Sequence, residues 1–252
     1  MNSSVINPPK PLPWQFGIIE SIKVETYRVK TFTINLKHWR PFISGQHYDI
    51  RLTAPDGYQA QRSYSIASSP TIFGKIELTV ELIPDGEVSQ YFHRAIQPGE
   101  ALELRGPIGG PFSWKPNDAH PSLFVAGGSG IVPIMSMLRH RIDSGMTVKA
   151  ALIYSSRSFQ DIIYWQELSE MNRSDDQLSI THTLTRQQPD WWTGYSRHID
   201  DSMAAIALHS LGSLAHAYIC GSTPFVETVS DALLETGMKP GNVLTEHFGP
   251  TM

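Results

Sequence analysis

Arg62, Tyr64 and Ser65 place a cation, an aromatic ring and a hydroxyl at the end of an alternating run bounded by Pro70. Successive side chains of a strand point to opposite faces, so Arg62 and Tyr64 share a face about two residues' rise apart. A guanidinium and a phenol ring side by side suit a ligand with a diphosphate at one end and a flat heteroaromatic system at the other, as in a flavin dinucleotide. Strict alternation turns Ser65 away, and a hydroxyl contact to the same ligand requires the strand to twist or end there, which Ser69-Pro70 favours. The candidate set is Arg62, Ser63, Tyr64 and Ser65. The competing reading is an edge strand with an exposed arginine and a packed tyrosine.

Four further stretches carry chemistry-bearing residues. A helix expected over 88–95 opens after Asp85-Gly86-Glu87, and free N–H groups in its first turn make Gly86, Val88, Ser89 and Gln90 candidates to receive a diphosphate. The alternative is that Asp85 or Ser89 simply caps that helix. Gly127-Gly128-Ser129-Gly130, between an expected strand and helix, lets backbone approach a phosphate, although Pro133 stands where a Rossmann fingerprint has its third glycine. A plain strand-to-helix turn explains the same loop. Cys220-Gly221-Ser222-Thr223-Pro224-Phe225 ends another expected strand and starts a helix, with Pro224 at the first helical position, while Cys220 taken alone reads first as a small buried hydrophobe. Near the end of the chain, Glu246 and Phe248 set a carboxylate and a ring two residues apart. Ser158 with Asp161 reads as a capping box with a structural role only.

Two kinds of scaffold must hold these residues. Over 14–116 the segments 18–24, 31–36, 47–52, 58–66, 76–82 and 101–105 read as six short strands punctuated by proline and glycine, which fits a small antiparallel β-barrel with one helix. The glycine-rich stretch 106–112 reads as an irregular connector. From 117 to 252 strand and helix patterns alternate: strands at 122–126, 148–154, 178–185 and 217–220, a closing segment at 242–248, and helices through Ile134, Met137, Leu138 and Ile142, over 158–171, around 203–208 and over 224–234. That alternation predicts an α/β domain with a parallel sheet covered on both faces. The first 13 residues, rich in proline, read as an extended, mobile arm.

Composition removes several function classes. A net charge of −4 argues against a nucleic-acid binder. Divided at residue 116, the chain has 12 Lys and Arg against 10 Asp and Glu in the first part, and 8 against 14 in the second. The first part is therefore the better face for an acidic partner, and ordinary scatter of surface charge explains the same asymmetry. Cys220, the single cysteine, excludes an intrachain disulfide and a thiolate-held iron-sulfur cluster built from these residues. The ten histidines show no metal-ligand spacing, and no metal site is expected. With no leader pattern and no bilayer-length apolar run, no membrane partner is expected, and the expected protein is cytoplasmic and monomeric.

In this order, Arg62-x-Tyr64-Ser65, Gly128-Ser129-Gly130, Cys220-Gly221 and Glu246-x-Phe248 resemble the ferredoxin-NADP reductase superfamily of flavoenzymes over nearly the whole chain. The resemblance implies FAD on the barrel, held by Arg62, Ser63, Tyr64, Ser65, Gly86, Val88, Ser89 and Gln90, with Phe248 stacked on the flavin. It implies NADPH or NADH on the second domain against Gly128, Ser129, Gly130, Pro133, Gly221 and Phe225, and it sets Ser65, Cys220 and Glu246 beside the reacting atoms. Arg157 and Arg186 follow strand ends where family members contact the adenosine ribose, and no acidic residue ends the second strand, so they suit the 2′-phosphate of NADPH. As solvated loop arginines they would leave NADH as the donor. Phe replaces the family's terminal Tyr and the chain runs on four residues, which leaves ordinary packing open for Phe248. The implied activity passes a hydride from the nicotinamide to FAD, then electrons to a ferredoxin, a flavodoxin or an oxygenase component. A regulatory or assembly subunit that binds nucleotide without turnover is the alternative, and FMN in place of FAD stays open.

Overall fold

The structure, a computed structural model, describes residues 12–116 and 119–249, so most of the proline-rich arm expected at 1–13 lies outside the described residues. Strands β1 (Gln15–Thr26), β2 (Val29–Leu36), β3 (His47–Thr53), β4 (Gln59–Ser65), β5 (Lys75–Glu81) and β6 (Ala101–Ile108) pair antiparallel in the order β4-β3-β6-β1-β2-β5. The outer strands meet through a bridge between Ile66 and Leu78, and the Ala67 N–H donates to the Glu77 carbonyl at 2.8 Å, which closes the sheet into a barrel. Alternate residues such as Phe32, Ile34, Ile50, Ile76, Leu78 and Leu104 fill its interior because β-branched and aromatic side chains pack on a pleated surface. Helix α1 (Glu87–Arg94) covers the interior with Phe92, edge-on to Phe32 at 4.7 Å.

β6 runs on through Gly106 to Ile108, where an irregular connector was expected. A Cβ at Gly106 would come within 2.6 Å of the Tyr48 ring, so the glycine is there for close packing inside a strand and does not break it.

The second sheet contains β7 (Ser122–Gly127), β8 (Ala150–Ser156), β9 (Leu178–Leu184), β10 (His216–Ser222) and β11 (Val243–Phe248), all parallel, in the order β11-β10-β7-β8-β9. Helices α2 (Ile131–Asp143) and α3 (Trp165–Ser174) lie toward one face, and α4 (Asp201–Leu211) and α5 (Thr223–Glu235) toward the other. β7 and β8 are buried almost throughout, as strands covered on both faces must be. The chain leaves β7 in one direction and returns past it to β10, so the switch point lies between β7 and β10 and opens a crevice at their C-terminal ends.

The helix expected from 158 is split. A single 3-10 turn (Phe159–Asp161) follows Ser158, and α3 starts only at Trp165, because Tyr164 adopts φ +61° and sends its hydroxyl across to Thr79 of β5. The two sheets share one apolar cluster: Val29, Ala67, Phe112 and Trp114 pack with Phe124, Met137, Tyr218 and Cys220.

Candidate active site

β4 carries Arg62 and Tyr64 on one face. Tyr64 is half-buried with its ring edge-on to Phe92 at 5.4 Å, and burial raises its phenol pKa despite the opposing charge of Arg62. Arg62 is exposed, pairs with no carboxylate among the described residues, and donates to the Gln61 carbonyl at 2.6 Å. Ser63 lies on the other face, where its hydroxyl donates to Asp49 at 2.7 Å and Asp49 in turn pairs with Arg105 at 2.7 Å. Ser65 is buried where β4 ends, opposite His47.

Helix α1 opens at Gly86 with no side-chain cap. The amides of Glu87, Val88 and Ser89 have no backbone acceptor among the described residues, so three N–H groups and the positive end of the helix are available to an anion. Two neighbouring candidates are otherwise engaged. The Ser89 hydroxyl donates to the Gly86 carbonyl at 3.0 Å and accepts from the Ile83 amide at 3.1 Å; the Gln90 N–H donates to the Gly86 carbonyl at 2.9 Å and its side-chain amide to the Pro84 carbonyl. Uncapped amides, an arginine without an acidic partner and a half-buried ring fit a dinucleotide with an aromatic headgroup. Past the helix start a groove of about 620 Å³, lined in part by Phe16, Tyr58 and Tyr91, offers room for the outer half of such a ligand. No sequence motif marked that groove, because its aromatic residues come from three separate elements.

Across the molecule the turn from β7 into α2 lies against the end of β10. A Cβ on Gly130 would fall 2.2 Å from the Cys220 carbonyl oxygen, so only glycine permits this approach. The Phe225 ring covers Gly127 and Gly221, where added Cβ atoms would meet it at 3.0 and 2.6 Å. Gly128 has φ +55° with open space beside it, and Ser129 is half-buried in the same turn. Pro133 is buried in the first turn of α2, where its missing N–H costs nothing. Cys220 is fully buried, level with Ala126 on one side and Glu246 on the other. Burial pushes its thiol well up, with the Glu246 charge adding to the effect, and burial also raises the Glu246 carboxyl. A thiol held well above its ordinary value favours its protonated form, which suits shaping a site better than nucleophilic attack. Phe248 packs on the cluster that contains Cys220 and Ala67.

Arg157 and Arg186 are brought side by side. The Arg186 and Gln187 amides donate to the Arg157 carbonyl at 2.9 and 3.1 Å, and both side chains are exposed beyond the C-terminal ends of β8 and β9. Beside them the structure holds an aromatic group that sequence reasoning passed over. Phe159 meets Trp165, Trp191 and Trp192 edge to face, and those three tryptophans line a pocket of about 340 Å³ together with His182 and Tyr195. The Trp191-Trp192 doublet, inside a stretch read only as irregular, was its signal.

Comparison with known proteins gives two family matches, an oxidoreductase FAD-binding domain over residues 17–113 and an oxidoreductase NAD-binding domain over residues 124–231. The chain is similar to the glycine betaine monooxygenase reductase subunit of Pseudomonas aeruginosa, 31% identical over 262 residues, covering 100% of this chain and 70% of that protein. It is also similar to ferredoxin-NADP reductase B of Sorangium cellulosum, 34% identical over 211 residues, with 82% and 85% covered. Among solved structures, the FAD/NAD-binding domain of a nitric oxide dioxygenase from Vibrio cholerae superposes with a TM-score of 0.82 at 19% identity, covering 93% of this chain and 98% of that one, and shares the fold.

Proposed function

The chain belongs to the ferredoxin-NADP reductase superfamily and is an FAD-dependent NAD(P)H oxidoreductase, and from that premise we propose that it is the reductase component of an oxygenase system, delivering electrons to a separate iron-sulfur partner. The observation that carries this reading is the similarity over the whole chain to a monooxygenase reductase subunit. A single cysteine among 252 residues means that any thiolate-held cluster must use ligands from elsewhere. Ferredoxin or flavodoxin as the partner is the second reading, favoured by the similarity to a ferredoxin-NADP reductase. Among the described residues no helix is long and apolar enough to cross a membrane.

FAD, when bound, supplies a two-electron acceptor that can release its electrons one at a time. The protein's work is binding and alignment. Arg62 and the amides of Glu87, Val88 and Ser89 would hold the diphosphate, and the Tyr64 ring would face the heteroaromatic system. Gly128, Ser129 and Gly130, at the start of α2, would take the pyrophosphate of the nicotinamide nucleotide, with Arg157 and Arg186 beside a 2′-phosphate. Cys220, a buried thiol held well above its ordinary value, would shape the reacting region, with Glu246 level with it on the next strand and Phe248, packed on the same cluster, screening it from water.

Anaerobic mixing of the FAD-loaded protein with NADPH and, separately, NADH tests the reading. Flavin absorbance should bleach with at least one of them and recover when an oxidised [2Fe-2S] protein is added. A loaded protein that neither nucleotide bleaches would overturn turnover and favour a regulatory or assembly subunit. Bleaching followed by recovery only with flavodoxin would overturn the oxygenase assignment alone.

A further inference from the structure

Helix α2 starts at the nucleotide loop and presents Ser136, Arg139, His140 and Asp143 at spacings of three and four residues, which puts them on one face. Each of the four reaches the barrel. Ser136 donates to the Ser68 carbonyl at 2.7 Å, and Ser44 bonds His140 Nδ1 at 3.2 Å and the Ser136 carbonyl at 3.2 Å. Thr71 donates to Asp143 at 2.7 Å. Arg139 Nη1 donates to the Ala67 carbonyl at 2.9 Å and to Glu77 at 2.7 Å, while Nε and Nη2 form a fork on Glu167 of α3 at 2.7 and 2.8 Å. Its guanidinium carbon lies 5.3 Å from the centre of the Tyr164 ring, and only 16% of the side chain is exposed.

The segment gripped in this way is the direct continuation of β4. Ala67 and Ser68 lie two and three residues beyond Ser65, and Arg139 lies nine residues beyond Gly130, roughly 13 Å along the helix. One rigid element therefore holds the flavin-side strand end at its middle and the nucleotide loop at its start. We propose that this face of α2 sets the register between the two cofactor sites, with Arg139 as a positioning residue for transfer between them. The inference rests on the reductase reading. A fixed register matters because a misplacement of about 1 Å between reacting groups can slow a reaction by roughly 10²-fold. Lysine cannot replace Arg139, since a single ammonium cannot keep the fork on Glu167 and also reach both Ala67 and Glu77.

The test uses the full FAD-loaded chain with Arg139→Lys and, as a milder second variant, Glu167→Gln, which loosens the guanidinium without removing it. Both should retain FAD and bind NADP⁺ within about two-fold of the parent, yet flavin reduction at saturating nucleotide should slow by ten-fold or more in Arg139→Lys and less in Glu167→Gln. Two readouts do not depend on turnover. Amide hydrogen exchange over residues 66–69 should speed up, and the long-wavelength charge-transfer absorbance between flavin and nicotinamide should weaken. Parental reduction rates in both variants would overturn the proposal, as would slowing that merely tracks lost flavin or lost nucleotide affinity. If the parent itself is not reduced by either nucleotide, the reductase reading falls; the exchange over 66–69 then still decides whether Arg139 holds that segment, and unchanged exchange overturns the clamp as well.

Discussion

Gly130→Ala tests whether the close approach of the β7–α2 turn to β10 is what builds the nucleotide side of the site. The new Cβ would fall 2.2 Å from the Cys220 carbonyl oxygen, 2.5 Å from its carbon and 2.8 Å from the Gly221 nitrogen. All three are backbone atoms, so no side chain can rotate out of the way. Ordinary non-bonded separation is about 3.5 Å, and the turn and β10 must therefore part by roughly 1 Å. Overpacking of this kind costs about 1–3 kcal/mol, which for a chain of this size lowers the melting midpoint by several degrees. The same displacement separates the opening amides of α2 from Cys220 and Gly221, so flavin reduction by NAD(P)H should slow on the order of 100-fold. FAD retention should be close to parental, since the contacts proposed for it lie on β4 and α1. Gly128→Ala is the control: its Cβ meets nothing within 4 Å, but φ is +55°, so it should cost about 1–2 kcal/mol in backbone strain and slow reduction far less. Stopped-flow reduction and thermal denaturation read both effects. A Gly130→Ala variant reduced at the parental rate, or a Gly128→Ala variant equally impaired, would refute the argument.

Tyr64→Ala removes the ring and its edge contact with Phe92, and should weaken FAD binding by on the order of ten-fold or more; flavin content unchanged after gel filtration would count against a flavin-facing Tyr64. Replacing Arg157 and Arg186 together with alanine should lower kcat/KM for NADPH by on the order of 100-fold and hardly change NADH, whereas equal losses for the two donors would remove the 2′-phosphate assignment. Burial raises the Glu246 carboxyl, so folding disfavours its charged form relative to the unfolded chain. The carboxyl's contribution to stability is complete below the unfolded glutamate value near pH 4.3 and is lost as pH rises through the higher folded value. Glu246→Gln, which cannot ionise, should therefore gain stability relative to the parent as pH rises from the unfolded glutamate value through the higher folded one, and a melting-point difference that does not change with pH would sink the argument.

Alternation was enough to find the six barrel strands and the βα order of the second half, because a period of two or of 3.6 is a local property of the chain. Strand order in the parallel sheet is not local, and only the structure shows Gly130 meeting Cys220 at the switch point between β7 and β10. Hydroxyl partners were illegible for the same reason: Ser63 belongs to Asp49 and Ser89 to its own turn, although both stand in stretches whose residue types suit a diphosphate. Helix α2 shows how periodicity misleads. Its apolar positions were expected to run through Ile134, Met137, Leu138 and Ile142, and the first three are buried, but Ile142 is 42% exposed. The polar residues at 136, 139, 140 and 143, which an amphipathic pattern assigns to water, face the barrel instead. The cause lies at the end of β4. Beyond Ser65 the chain leaves the regular ladder, and the carbonyls of Ala67 and Ser68, covered by α2, need donors that no strand supplies. Ser136 and Arg139 provide them, so the helix turns its polar face inward because of a demand made some seventy residues earlier in the chain.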